Sequence, residues 1–413
     1  MYKNGGFMKD FTNLLEKYAE LVINVGVNTV EGDTISIRCP IERADFARLL
    51  AKKAYESKAH QVTVNWSDDQ LSLMAFENSP VEVMEEVPQH IYDRAEYFYK
   101  KGAKFISVSA ENPELLKDIP AEKVQRVSLA QRSKLKPLMK YTMNDINSWC
   151  VVSVPTEDWA KKVFPNSEKP LEDLWDAIFD VTRIKEEDPV KAWEGHLNLL
   201  TEKANWLNDK NFKYLKYKSD NGTDLQIELP EGHIWAAASS KNIKGEEFVP
   251  NMPTEEVFTM PKRDGVNGTV YSSKPLVYNG NVIDEFFLKF EEGRVVDFDA
   301  KVGKDTLESI FNQDEKARYL GEVALVPFDS PISNSNILFF NTLFDENASC
   351  HLAFGKAYPT NIKGGENMSD EELQAHGVND SIIHEDFMVG TSDLSIIGID
   401  HDNNETPVFI KGN

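Results

Sequence analysis

Thr34-Ile35-Ser36-Ile37-Arg38-Cys39-Pro40-Ile41-Glu42 decides how the first half of the chain is read. Thr34–Arg38 has the β-branched content of a strand, and a helix over about residues 42–57 follows it. Val62-Thr63-Val64-Asn65-Trp66, Phe105-Ile106-Ser107-Val108 and Cys150-Val151-Val152-Ser153-Val154 repeat the strand pattern, each set off from its predecessor by helical sequence. Short β-rich runs alternating with amphipathic helices predict a parallel, helix-covered sheet. Such a sheet invites a dinucleotide, whose phosphates need a glycine-rich turn directly after the first strand. Here that strand runs into Arg38-Cys39-Pro40-Ile41-Glu42, with no glycine cluster and an unhelpful glutamate. The expectation is a Rossmann-like scaffold without its cofactor signature.

Working outward, residues 9–25 place Phe11, Leu14, Leu15, Tyr18, Leu21, Val22 and Val25 at helical spacing. From Pro155 to Asn208 the sequence is helical again, with Thr156 as an N-cap ahead of Glu157 and Asp158, whose charges suit a helix N-terminus. Lys185-Glu186-Glu187-Asp188-Pro189 is a polar break, and Pro189 suits the first turn of the next helix. The boundary is expected there, giving an N-terminal α/β domain over 1–188 and a second domain over 189–413. Beyond it the texture changes. Phe212–Tyr217, the Ser219-Asp220-Asn221-Gly222-Thr223 turn and Leu225–Leu229 read as a hairpin, and turns at Asn279-Gly280 and Glu292-Gly293 repeat the pattern. One helix, over about 304–313, interrupts a mainly antiparallel β half.

The 413 residues exceed one comfortable core, and 41% hydrophobic with 27% charged residues describes a globular protein. A net charge of −23, with no Lys/Arg block interleaved with aromatics, argues against nucleic acid and anionic membrane as partners. Three scattered cysteines, Cys39, Cys150 and Cys350, make neither a disulfide framework nor a thiolate zinc pattern. Met1-Tyr2-Lys3-Asn4-Gly5-Gly6-Phe7 lacks a signal-like apolar core, and no apolar run approaches the roughly 20 residues of a membrane span. The expectation is a soluble cytoplasmic protein.

Imidazoles and carboxylates that a metal site could use concentrate in the last third. His60, His90 and His401 lie in polar contexts and read as surface residues, while His196 reads as a helix-surface or capping group and His376 as a helix C-terminus. His233, beside Trp235, could line a pocket. His384 stands two residues before Asp386, which in an extended segment puts both side chains on one face. That spacing also fits a surface ion pair, but the flanking Ile382, Ile383, Phe387, Met388 and Val389 make an unpartnered pair costly to bury. Glu322, after Gly321, heads a buried-looking strand and needs a compensating cation, either a metal or Arg318. Glu255 and Glu256 are adjacent carboxylates, either a solvated strand end or a pair sharing a cavity. His351 sits among small residues, as a core histidine or a ligand, and Tyr358 reads as a core aromatic or part of a site.

Together, Asn251–Thr259, Leu320–Pro327, Asn341–Ala348, Asn379-Asp380-Ser381 running into His384-x-Asp386, and Gly390–Leu394 resemble the thermophilic metallo-aminopeptidase family. The similarity covers nearly the full length, with the specific motifs inside residues 250–400. It implies a dinuclear site on Glu256, Glu322, His351, Tyr358, His384 and Asp386, peptide substrates with a free N-terminus, and a homodimer. Two such ions clamp a scissile peptide and lower the pKa of water. Glu322 is expected to bridge, and Glu255, if it points inward, is the candidate general base. Tyr358 is expected either to ligate or to stabilise the oxyanion. One ion is also expected to take the substrate's α-amine. Oxygen and nitrogen ligands without thiolate suit zinc, cobalt or manganese. A metallohydrolase on another amide or ester and a non-catalytic metal-stabilised binding protein are the competing readings.

Overall fold

A computed structural model describes residues 5–110 and 112–413; Met1–Asn4, where the leader begins, lies outside them. Thr34–Pro40, Gln61–Ser67, Lys104–Ser109 and Trp149–Ser153 form the expected parallel sheet, in the order 61–67, 34–40, 104–109, 149–153. Helix Ala44–Glu56 makes the first crossover and buries Phe46, Ala47, Leu50 and Ala54 against the sheet. A fifth parallel strand, Asn251–Met252, pairs with Val151 and Val152, so this sheet reaches past residue 188 for its last member. The core beneath it is likewise shared: Trp193, Ile332, Phe339 and Phe344 pack with Tyr18, Phe179 and Ile37. The 22-residue helix Pro189–Lys210 opens with proline, as the break predicted, and its Asp188 N-cap accepts from the Lys191 amide. It gives Trp193 to this core and Leu200, Ala204 and Leu207 to the next.

The second half is antiparallel. An eight-stranded sheet includes the hairpin Tyr214–Lys218/Asp224–Glu228 and the long ribbon Asn281–Glu291/Arg294–Val302, with Glu292 and Gly293 at positive φ in its turn. Helix Lys304–Phe311 sits where one was expected. Beside it lies a four-stranded antiparallel sheet, ordered Val257–Thr259, Leu320–Leu325, His351–Gly355, His384–Met388. One face of that small sheet is apolar, with Phe354 and Phe387 stacked at 4.4 Å between ring centroids. The opposite face carries the chemistry. Among the described residues no helix is long and apolar enough to cross a membrane.

Candidate metal centre

Strand periodicity assembles the site. Glu322 pairs across the sheet with Ala353, and Ala353 with Asp386. His351 and His384 lie two residues before Ala353 and Asp386, so all four functional side chains leave the same face. Ala353 leaves that face open in the middle. Two glycines bring the strands to this register: a Cβ at Gly321 would lie 2.5 Å from the Gly355 carbonyl oxygen, and Gly355, at φ +93°, would meet the Ile383 carbonyl at 2.3 Å. The irregular step between Leu320 and Glu322 is what turns Glu322 onto the shared face. Glu256 arrives from the residue before the 257–259 strand.

Two groups of potential ligand atoms result, Glu256/Glu322/His351 and Glu322/His384/Asp386, each with its atoms within 4.8 Å of one another. Glu322 belongs to both. His351 Nε2 lies 2.9 Å from Glu256 Oε2 and 3.6 Å from Glu322 Oε1; His384 Nε2 lies 3.5 Å from Glu322 Oε2 and 3.8 Å from Asp386 Oδ1. Both rings turn their other nitrogen to a backbone carbonyl, His351 Nδ1 to Ser349 at 3.2 Å and His384 Nδ1 to Lys356 at 2.7 Å. A carbonyl only accepts, so Nδ1 carries a hydrogen and Nε2 is the nitrogen turned to the carboxylates, the one a metal ion would take. Tyr358, just past the 351–355 strand, sets its ring edge-on to His384 at 5.1 Å and lines the same cavity.

The electrostatics fit a cation. Burial pushes Glu322 up to about 7, and burial with the charges of Asp386 and Glu256 holds Glu346 well above the usual carboxylate range. Burial alone would discharge His351, but the carboxylates of Glu256 and Glu322 outweigh it and raise the imidazole well above its ordinary value. Tyr358 is raised by burial and then by Glu322 and Asp386, so its phenol keeps its proton. Among the described residues no lysine or arginine pairs with Glu256, Glu322, Glu346 or Asp386. Buried Asp386 Oδ1 and Glu256 Oε2 also lack a hydrogen-bond donor of good geometry. Buried carboxylates in this number require positive charge from elsewhere. The residues present therefore fit divalent ions. Arg318, the alternative partner weighed for Glu322, instead lies over the Phe298 and Phe311 rings.

Other side chains depart from the sequence reading. Glu255 does not line the cavity: its carboxylate turns to Arg183, with Nη1–Oε1 at 2.7 Å and Nη2–Oε2 at 3.0 Å. The condition attached to its role as base, an inward carboxylate, is not met. His196, expected as a helix-surface or capping group, is half-buried in that same cluster, its Nε2 2.7 Å from the Thr254 carbonyl and 3.5 Å from Glu255. His233 is buried on the Pro230 carbonyl and does not line this cavity. His60, His90 and His401 are exposed, and His376 caps the C-terminal end of helix Asp370–Ala375, as expected.

Sequence reasoning passed over Glu346 and Asp145. Glu346 lies inside a motif already singled out, five residues before His351, where its neighbours Asp345 and Asn347 disguise it as part of a polar turn. Asn347 holds it in place, donating to the Glu346 carboxylate at 3.3 Å and to Leu343 at 3.0 Å while accepting from the Glu255 amide at 2.7 Å. The cavity, of about 560 Å³, is completed by the first half of the chain, which contributes Ser109, Asn112, Asp145, Trp149 and Val151 to its wall.

A helix-backed parallel sheet roofing an antiparallel sheet whose polar face gathers two histidines and four carboxylates defines a metal-dependent hydrolase. The chain belongs to the M29 family of thermophilic metalloproteases, whose model matches residues 11–413. It is 48% identical over 408 residues to Aminopeptidase AmpS of Bacillus subtilis (98% of this chain, 99% of that protein) and 47% identical over 404 residues to Aminopeptidase 2 of Geobacillus stearothermophilus (97% of each). The solved structure of wild-type AmpT from Thermus thermophilus matches with a TM-score of 0.89 at 38% identity, covering 98% of this chain and 99% of that one.

Proposed function

We propose that this metal-dependent aminopeptidase removes the N-terminal residue of unblocked peptides through two divalent ions that share Glu322. The observation that carries the pairing is the overlap of the two ligand groups at that one carboxylate. Glu256, Glu322 and His351 would hold one ion, and Glu322, His384 and Asp386 the other. Tyr358 stands beside the second group as a further ligand or as the donor to the reacting carbonyl. Ions bound there supply Lewis-acid polarisation of a peptide carbonyl and a lowered pKa for water. The oxygen and nitrogen donors suit zinc, cobalt or manganese.

The protein's own groups then divide the proton work. Glu346, in the cavity and, among the described residues, without a lysine or arginine partner, takes the proton of the attacking water at its carboxylate and returns it to the leaving amine. Tyr358, kept protonated, donates a hydrogen bond to the carbonyl oxygen as that atom gains charge. Arg183 and His196 fix Glu255 and the Thr254 carbonyl, and through that backbone they orient Glu256. In this reading residues 1–188 restrict access and residues 189–413 carry the chemistry. The exposed Leu71, Met74 and Val83 on the outer helices of the first half suit the contact of a homodimer, and the scattered buried thiols suit a cytoplasmic protein.

The deciding experiment is a metal-reconstituted assay over a panel of aminoacyl reporter substrates. Release of the amino acid should vanish with chelator and return with added metal, and N-acetylated substrates should resist. Equal cleavage of acetylated and free substrates would replace the aminopeptidase reading with a broader amidase. A ligand stoichiometry of one ion at full activity would remove the dinuclear one.

A further inference from the structure

Asp145 belongs to neither ligand group, yet it lines the same cavity. It sits in the turn between helix Lys140–Met143 and strand Trp149–Ser153, at φ +49°, a left-handed conformation uncommon for a residue with a side chain. The turn is tied down on both sides. The Asp145 and Asn147 amides donate to Thr142 and Tyr141, and Asn147 Nδ2 donates to Tyr99 and Ala103. Ser148 Oγ accepts from Asn242 Nδ2 at 3.0 Å.

The carboxylate is half-buried and, among the described residues, has no ion-pair partner. Its neighbours are the Ser240 hydroxyl and the Trp149 indole, and burial outweighs both to push it up to about 7. Asp145 and Tyr358 line one cavity, so the carboxylate shares the space of the group that would meet the reacting carbonyl. Two divalent ions would offset four carboxylates at Glu256, Glu322, Glu346 and Asp386; Asp145 would still want a cation. A peptide with a free N-terminus brings one. Its α-nitrogen lies about 2.5 Å from the carbonyl carbon of its own residue, and each further carbonyl is roughly 3.8 Å along the chain. A carboxylate gripping that nitrogen near Tyr358 can present the first peptide bond and no other.

We propose that Asp145 is the anchor for the substrate's free α-ammonium group, the residue of the first half that makes this site an exopeptidase. The inference rests on the aminopeptidase reading and deepens it, and it assigns the amine to the protein rather than to an ion.

The test compares an aminoacyl anilide with its des-amino analogue, identical in side chain, on metal-loaded wild type, Asp145→Asn and Asp145→Glu. Losing a charge-assisted hydrogen bond should lower kcat/KM for the free-amine substrate about 10–100-fold in Asp145→Asn, with the des-amino rate and the metal content unchanged. Asp145→Glu, which keeps the charge, should recover part of the loss. Undiminished preference for the amine in Asp145→Asn, or an equal fall on both substrates, would overturn the assignment. Absence of any wild-type aminoacyl hydrolysis would instead refute the aminopeptidase reading. In that event calorimetric titration with leucine amide still decides, since an anchor requires Asp145→Asn to bind it at least tenfold more weakly than wild type, and equal affinity would overturn it.

Discussion

Glu255 and Glu256 are neighbours in sequence, both buried, and they live in opposite electrostatic worlds. Glu255 faces Arg183 and His196, a cluster that supplies its own cation and closes on itself. Glu256 faces His351, Glu322 and Glu346, a cluster with carboxylates to spare and, among the described residues, no lysine or arginine. Backbone alternation alone separates them, since successive side chains of an extended segment point to opposite sides. A buried carboxylate with an arginine belongs to the scaffold, whereas one without needs something the chain does not provide.

Variants can break or sharpen that contrast. The largest effect should come from Glu322→Ala, which removes the carboxylate common to both ligand groups. Metal content should fall for both ions, and kcat/KM should fall well beyond the roughly 10–100-fold that loss of an outer hydrogen-bonding partner costs a metal site. Retention of two ions by elemental analysis would defeat the shared-ligand arrangement. Glu346→Gln should cut turnover about 10²–10⁴-fold, the range of general acid–base catalysis, with metal content intact; a parallel loss of metal would make Glu346 a ligand instead.

Glu255→Ala should act on stability, because it strands the buried Arg183 guanidinium, a loss of roughly 3–5 kcal/mol in denaturant unfolding. The metal-free protein should show the opposite sign at Glu322. Its carboxyl stands at about 7 when folded against an ordinary 4.5, so the fold holds the proton more tightly than the unfolded chain does. Stability tied to that proton is fully present below pH 4.5 and is lost as the pH rises through 7. Glu322→Gln should therefore stabilise metal-free protein at pH 8 by up to about 3 kcal/mol and do nothing at pH 4. No difference between the two pH values would remove the excess-charge account. The smallest effect belongs to Glu385, which stands between His384 and Asp386 but faces away, to Arg132 of helix Ala121–Leu135 at 2.7 Å. Arg132→Met should cost about 1–3 kcal/mol by leaving that acceptor unpaired, with metal binding retained.

Much of the fold could be read locally. The strands at 34–40, 61–67, 104–109 and 149–153 came from β-branched runs between amphipathic helices, and the hairpins at 219–223 and 292–293 from turn residues whose backbone needs are specific. His384 and Asp386 were linked by period-2 spacing, a short-range regularity. Glu346 and Asp145 were not legible in that way. Each sits in a polar turn where a carboxylate is ordinary, and only the meeting of distant segments in one cavity separates them from surface acids. His196 failed for a related reason: its helix looks one-sided, but Thr254 and Glu255, far away in sequence, cover the other side.

The sequence by itself determined the family, the alternation of strands and helices, and the residue types available to hold metal, because those depend on local propensity and on motifs in order. Which way each carboxylate faces, whether an arginine reaches it, and the fifth parallel strand borrowed from residues 251–252 were decided by tertiary structure. The physical reason is that charge compensation in a buried site is a property of what surrounds a group in space, and neighbours along the chain, as Glu255 and Glu256 show, can have none of it in common.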